Sequence, residues 1–173
     1  IGRGPRSKQA TLAVCRRLID ALQFLHEHSK HAHRDIKPQN ICVARKANDP
    51  TLYLIDFGLA SPLFNERDEH QPLEEVAPKA AANARRRVVG SVRYLSVHAH
   101  QAVERYGRAR RAATSRRCDL EAVAYVAMYL HEGRLPWSDL PAKTGPEPDV
   151  AIPRAKVRVP PRPLGGPALS TTG

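Results

Sequence analysis

Residues 118–131 place the strongest constraint on the fold. Leu120, Val123, Ala124, Ala127, Met128 and Leu130 fall on nearly every face of one predicted helix. A helix that is apolar all round has to be enclosed by other elements. Asp119 stands at its start, where a carboxylate can cap free backbone N–H groups, or alternatively anchor a neighbouring loop. Gly133 and Pro136 supply the stop signals. The chain must therefore build a packed core. Its 42% hydrophobic content is sufficient for one and excludes a wholly disordered chain.

The other elements follow from local pattern. Over 11–28, Val14, Leu18, Leu22 and Leu25, with Ile19 beside them, recur at helical spacing and predict an amphipathic helix. Residues 31–40 hold Pro38 and clustered polar residues and read as a loop. Residues 41–44 and 52–55 are short apolar runs separated by Asn48-Asp49-Pro50, which predicts two strands joined by a turn. Residues 61–89 form a long polar stretch, acidic first and then arginine-rich, of a length usually functional or disordered. Beyond Leu140, residues 141–173 hold eight of the 15 prolines and no aromatic residue, so no packed structure is expected there. Met128 reads as core and Trp137 as a packing anchor.

Charge narrows the function classes. The chain carries 28 Lys plus Arg against 17 Asp plus Glu, a net charge of +11. Residues 85–117 contain ten arginines and one acid, Glu104, so +9 of that excess sits in 33 residues. An anionic partner is plausible, as is a merely solvated loop. No run of 18 apolar residues exists, so no membrane-spanning helix is expected. Cys15, Cys42 and Cys118 are scattered and form no CxxC, which argues against a disulfide framework or a cysteine-based zinc site. The expected location is intracellular, in cytoplasm or nucleus. The chain begins at Ile1 and its sole methionine is Met128. A processed chain or a piece of a longer one is therefore expected.

The residues that carry chemistry are His33-Arg34-Asp35-Ile36-Lys37-Pro38-Gln39-Asn40, followed by Asp56-Phe57-Gly58. Asp35 and Lys37 alternate on an irregular loop and can face one cleft. A carboxylate there can orient a hydroxyl and accept its proton. An ammonium beside it can neutralise charge building on a transferred phosphoryl group. Asn40 and Asp56 offer a neutral and an anionic oxygen, the hard donors that Mg²⁺ prefers. Gly58 is expected to give the sharp turn after Asp56. His26, His28, His31 and His33 could be a metal cluster, but read better as exposed helix-end histidines plus one loop histidine. His98 and His100 alternate in the same way, and a metal role is disfavoured there too.

The run His33–Asn40 resembles the catalytic loop of protein kinases, and Asp56-Phe57-Gly58 resembles their metal-binding triplet. Five matched positions have a chance frequency on the order of 10⁻⁷ per start position at average residue usage. Lys37, two places after Asp35, resembles the serine/threonine branch. Gly90-Ser91-Val92-Arg93-Tyr94, Ser96-Val97-His98, Arg117-Cys118-Asp119-Leu120-Glu121 and Gly133-Arg134-Leu135-Pro136-Trp137 are similar to the casein kinase I superfamily. The resemblance implies an ATP- and Mg²⁺-dependent Ser/Thr protein kinase. It implies Asp35 as base and Lys37 on the phosphoryl group. Asn40 and Asp56 would hold Mg²⁺ and, with Lys37, the nucleotide. His33, Arg34, Phe57, Gly58 and Asp119 would order the site. Arg93 would belong to an anion pocket that reads protein substrates that are acidic or already phosphorylated; Arg85, Arg86 and Arg87 flank the same expected cleft, where anion recognition and a solvated loop are both open.

Gly2 and Gly4 do not make a glycine-rich phosphate loop, and no strand lysine precedes the catalytic loop. The expected fold is thus mainly α with a short β-hairpin: a kinase-like C-terminal lobe without its N-lobe, ending in a disordered Pro-rich tail. The expected divisions are a remnant at 1–10, a partial kinase domain at 11–140 and the tail at 141–173, with an arginine-rich insertion at 106–114. Two other functions compete. One is a pseudokinase-like protein-interaction module without catalysis. The other is a nucleic-acid binder built on the arginines. The second is disfavoured because 105–117 offers Tyr106 as its single stacking residue.

Overall fold

The computed structural model describes residues 5–44, 51–70, 90–106, 115–141 and 151–158, without the side chains of 102–106. Among these residues there are four α-helices and two small antiparallel sheets. Helix α1 is Lys8–Glu27, starting three residues before the predicted position. The Ser7 side chain causes the early start by accepting the Ala10 N–H at 3.2 Å, which relieves one of the unpaired donors at the helix end. Strand β1 (His31–Ala32) pairs with β4 (Ser61–Pro62), and β2 (Ile41–Val43) pairs with β3 (Leu52–Leu54) in the register Ile41 to Leu54. The Asn48-Asp49-Pro50 turn lies outside the described residues.

Helix α2 is Val97–Tyr106 and helix α3 is Arg116–Glu132. Ser115 caps α3 by accepting the Cys118 N–H, and Gly133 ends it with φ 76° and an N–H bond to Tyr129 O. That left-handed conformation is one glycine adopts without strain. Helices α1 and α3 pack together. Leu18, Leu22, Val126, Leu130 and Trp137 form the centre of the core. The helix read as enclosed on all sides has one open stripe, however. Leu120 is exposed, as are Arg117 and Ala124 one turn on either side of it.

Past Leu140 the structure departs from expectation. Residues 151–158 form a fourth helix, α4 (Ala151–Arg158), with Ile152 fully buried in the core. Pro153 lies within its first turn, where a missing N–H breaks no helical bond. The tail was expected to lack packed structure because its prolines were read as compositional bias. Spacing rescues this segment, since Ile152 and Lys156 lie four apart on one face. Residues 142–150 and 159–173 lie outside the described residues, as do 1–4, 71–89 and 107–114.

Candidate active site

The loop at 33–40 rests on one carboxylate. Asp119, in the first turn of α3 and 1% exposed, accepts the His33 N–H on Oδ2 and the Arg34 N–H on Oδ1, both at 2.8 Å. His26 Nε2 lies 2.8 Å from the same Oδ2. A carboxylate buried this deeply requires several partners, and charge-assisted bonds of this kind stabilise by about 1.5–3 kcal/mol each. Ser115 provides the helix cap, so Asp119 serves as the loop anchor. The loop it grips is bent, with Arg34 at φ 71°. His33 is fully buried. Its Nδ1 faces the Asp35 N–H at 3.3 Å, so Nε2 carries the proton and donates to Ile55 O at 3.1 Å. Its ring tilts against Phe57 with centroids 5.1 Å apart.

Asp35 is held at three points. Ser91 N–H donates to Oδ1 at 2.8 Å, Lys37 Nζ to Oδ2 at 2.5 Å, and Asn40 Nδ2 to Oδ2 at 3.3 Å and to the Asp35 carbonyl at 2.9 Å. Burial works to raise the carboxyl's pKa. The Lys37 and Ser91 interactions outweigh it, and the pKa is lowered from its ordinary value. Asp35 is therefore an aimed carboxylate at neutral pH. Gly90 seats the Ser91 contact. It has φ 97°, and a Cβ there would meet Arg34 O at 2.5 Å. A glycine is required on both counts.

Asn40 and Asp56 are brought together by the hairpin. Pro38–Asn40 form a 3₁₀ turn leading into β2, and Ile55 N–H donates to Asn40 O at 3.0 Å. Asn40 uses its amide N–H₂ on Asp35, which leaves its Oδ1 as a neutral oxygen, and the exposed Asp56 follows Ile55, whose N–H reaches the Asn40 carbonyl. That donor set fits Mg²⁺, which binds one or two protein oxygens and completes its shell with water and phosphate oxygens. Among the described residues no group of three or more His, Cys, Asp or Glu could hold a metal. Asp56 itself takes φ 66°, and the turn expected at Gly58 follows directly, with the Ala60 N–H donating to Phe57 O at 2.9 Å across Gly58 and Leu59. Aspartate tolerates that positive φ better than most side chains.

Arg93 lies apart from these groups. Its side chain is exposed and Nη2 donates to Ser138 O at 3.2 Å, while its carbonyl accepts the Trp137 indole N–H at 2.9 Å. Arg85, Arg86 and Arg87, and the insertion at 107–114, lie outside the described residues. Three contributors escaped the sequence reading. His26, expected from the sequence to be an exposed helix-end residue, is buried. Its place four residues after Leu22, on the buried stripe, was the available signal. The contacts of Gly90 and Ser91 with the loop span 56 positions, and no local pattern reveals them.

Residues 3–147 match the family described as Protein kinase domain. The chain is 32% identical over 139 residues to one protein of Encephalitozoon cuniculi (strain GB-M1), and 34% identical over 142 residues to another. Both are named "Probable casein kinase I homolog". The matches cover 79% and 82% of this chain, and 37% and 40% of those two proteins, so the chain spans less than half the length of either. No helix of the described residues is long and apolar enough to cross a membrane.

Proposed function

The chain belongs to the protein kinase family and is of the casein kinase I type, and on that premise we propose that it transfers the γ-phosphoryl group of ATP to serine or threonine hydroxyls of protein substrates. One observation carries the reading: Asp35 is fixed between Lys37, Asn40 and the Ser91 N–H. In the transfer, the substrate hydroxyl gives its proton to Asp35 as its oxygen bonds to phosphorus. The bond from phosphorus to the leaving nucleoside diphosphate breaks. Lys37 faces the charge that develops on the phosphoryl oxygens. Asn40 Oδ1 and the Asp56 carboxylate would hold Mg²⁺, which when bound neutralises phosphate charge. Arg93, exposed and two residues after Ser91, suits an acidic or phosphorylated residue of the substrate. We place the kinase part at residues 11–140 extended by the helix at 151–158.

The test is Mg²⁺-dependent transfer of labelled phosphate from ATP to casein by this chain, compared with Asp35→Asn. The reading expects transfer that drops by at least about 10³-fold in the variant. Wild-type transfer at the background rate, or equal rates in both proteins, would reject it. A second reading, an interaction module without catalysis, is favoured by the exposed apolar side chains Tyr53, Ile55 and Phe57. Partner binding without transfer would select it.

A further inference from the structure

Helix α4 buries a charged side chain in the core. Lys156 is 6% exposed, and its Nζ donates to Val92 O at 3.1 Å and Leu95 O at 2.5 Å. The ammonium lies over the rings of Tyr125 and Trp137, 4.6 and 5.2 Å from their centroids, and 3.3 Å from His100 Nε2, which also bonds Val92 O. Glu121 completes the cluster by accepting the Tyr125 O–H at 2.5 Å and the Val97 N–H at 2.7 Å. A residue needed for packing alone at this site would be Leu or Met, because taking an ammonium out of water costs several kcal/mol. The offset comes from two carbonyls and two aromatic faces, so the site is built around those N–H donors.

The two carbonyls identify what the donors hold. Val92 and Leu95 flank Arg93 and Tyr94, in the stretch that begins with the Ser91 N–H on Asp35 and ends where α2 starts. Burial lowers the Lys156 pKa to about 7, with Glu121 opposing. The neutral amine still has two N–H groups, enough for both carbonyls, so the contact persists in either protonation state.

We propose that Lys156 is a positioning residue: from α4 it latches residues 92–95 to the core, and so keeps the Ser91 N–H aimed at Asp35 and Arg93 turned to solvent. The consequence for phosphoryl transfer rests on the kinase reading above, whereas the latch does not.

The test uses the whole chain and two readouts that need no catalysis. Amide hydrogen exchange is compared between wild type, Lys156→Met, which keeps length without donors, and Lys156→Gln, which keeps one donor group. The ¹³C titration of the Asp35 carboxyl is followed in the same proteins, with Ile152→Val as a packing control in the same helix. The latch predicts exchange about tenfold faster at 92–96 in Lys156→Met and less so in Lys156→Gln, with α1 and α3 unchanged. It also predicts an upward move of the Asp35 midpoint that Ile152→Val does not produce. Unchanged exchange and titration would overturn it. So would equal acceleration throughout α1 and α3, which would leave Lys156 as a core residue and nothing more. Variants that show these shifts beside a wild-type chain that transfers no phosphate would reject the kinase reading and keep the latch.

Discussion

The two halves of the site are built in opposite ways. The floor, His33 to Asn40, is closed. His33, Asp35 and Asn40 are buried, and Asp119 beneath them is bonded to two backbone N–H groups and to His26. The rim, from Tyr53 to Phe57, is open. Tyr53 is 53% exposed and Phe57 49%, and the Asp56 carboxylate faces solvent. Two hydrogen bonds, Ile55 N–H to Asn40 O and His33 Nε2–H to Ile55 O, and one ring contact, His33 with Phe57, join the halves. The floor groups hold one another in place, so the base is aimed before any ligand arrives, which is the form preorganisation takes. The rim groups are exposed, and their chemistry waits for what binds there. Substitutions in the floor should therefore reduce stability and function together, and those in the rim should separate the two.

The largest effect belongs to Asp119→Ala. It strands the His33 and Arg34 N–H groups and His26 in a dry site, so a loss of about 3–5 kcal/mol is expected in urea unfolding. Asp119→Asn, which keeps one oxygen, should cost clearly less. If Asp119→Ala unfolds at the wild-type urea concentration, the floor is not the closed unit described here.

Next comes pH, which acts on the groups packed against residues 92–95. Burial, with the charge of Lys156 adding to it, lowers the His100 pKa to about 3 from its ordinary 6.5. The unfolded chain then binds more protons than the folded one between those values. The stability contribution is full above about pH 6.5 and is lost as pH falls toward 3. The Lys156 shift, to about 7 from 10.5, has the same sign in a higher window, with stability rising as pH climbs from 7 toward 10.5. Each window spans on the order of a few kcal/mol. Unfolding free energies measured from pH 4 to 10 should therefore rise in two steps. His100→Gln should flatten the lower step and Lys156→Met the upper. A flat profile in wild type would contradict the burial of both groups.

Gly90→Ala probes the contact between floor and segment. The new Cβ would press on Arg34 O at a φ of 97°, and strain of about 1–3 kcal/mol is expected. The Ser91 N–H should then withdraw from Asp35, so any transfer activity falls by more than the stability loss accounts for. An alanine variant with wild-type stability would mean the close approach is not maintained in solution.

The contrast between floor and rim also shows what the sequence could reveal. His33, Asp35, Lys37, Asn40 and Asp56 were legible because their chemistry is packed into two short runs, and the helices at 8–27 and 116–132 were legible from periodicity. Long-range contacts were not. Asp119 reads equally well as a cap until the fold places it 86 positions from the N–H it accepts. Lys156 lies in a proline-rich stretch where one buried isoleucine four residues earlier is the whole signal. The turn at Gly58 was legible from the glycine, whereas the left-handed backbone of Asp56 just before it had no signal in the sequence.

The smallest expected stability change is the sharpest test of the contrast. Asp56→Asn alters one exposed carboxylate at a left-handed position that asparagine accepts at least as well, so unfolding free energy should move by no more than about 0.5 kcal/mol. Function should respond differently. Asparagine offers Mg²⁺ a neutral oxygen where aspartate offers an anionic one, and Asn40 is already neutral, so the pair would lose its only negative charge. Transfer should fall steeply and require a higher Mg²⁺ concentration, with the urea midpoint unchanged. Asp119→Asn shifts the midpoint as well, so the two variants differ in where the loss appears. An Asp56→Asn protein that is destabilised as much as Asp119→Asn would show that the rim shares the floor's closed construction, and the division between them would fail.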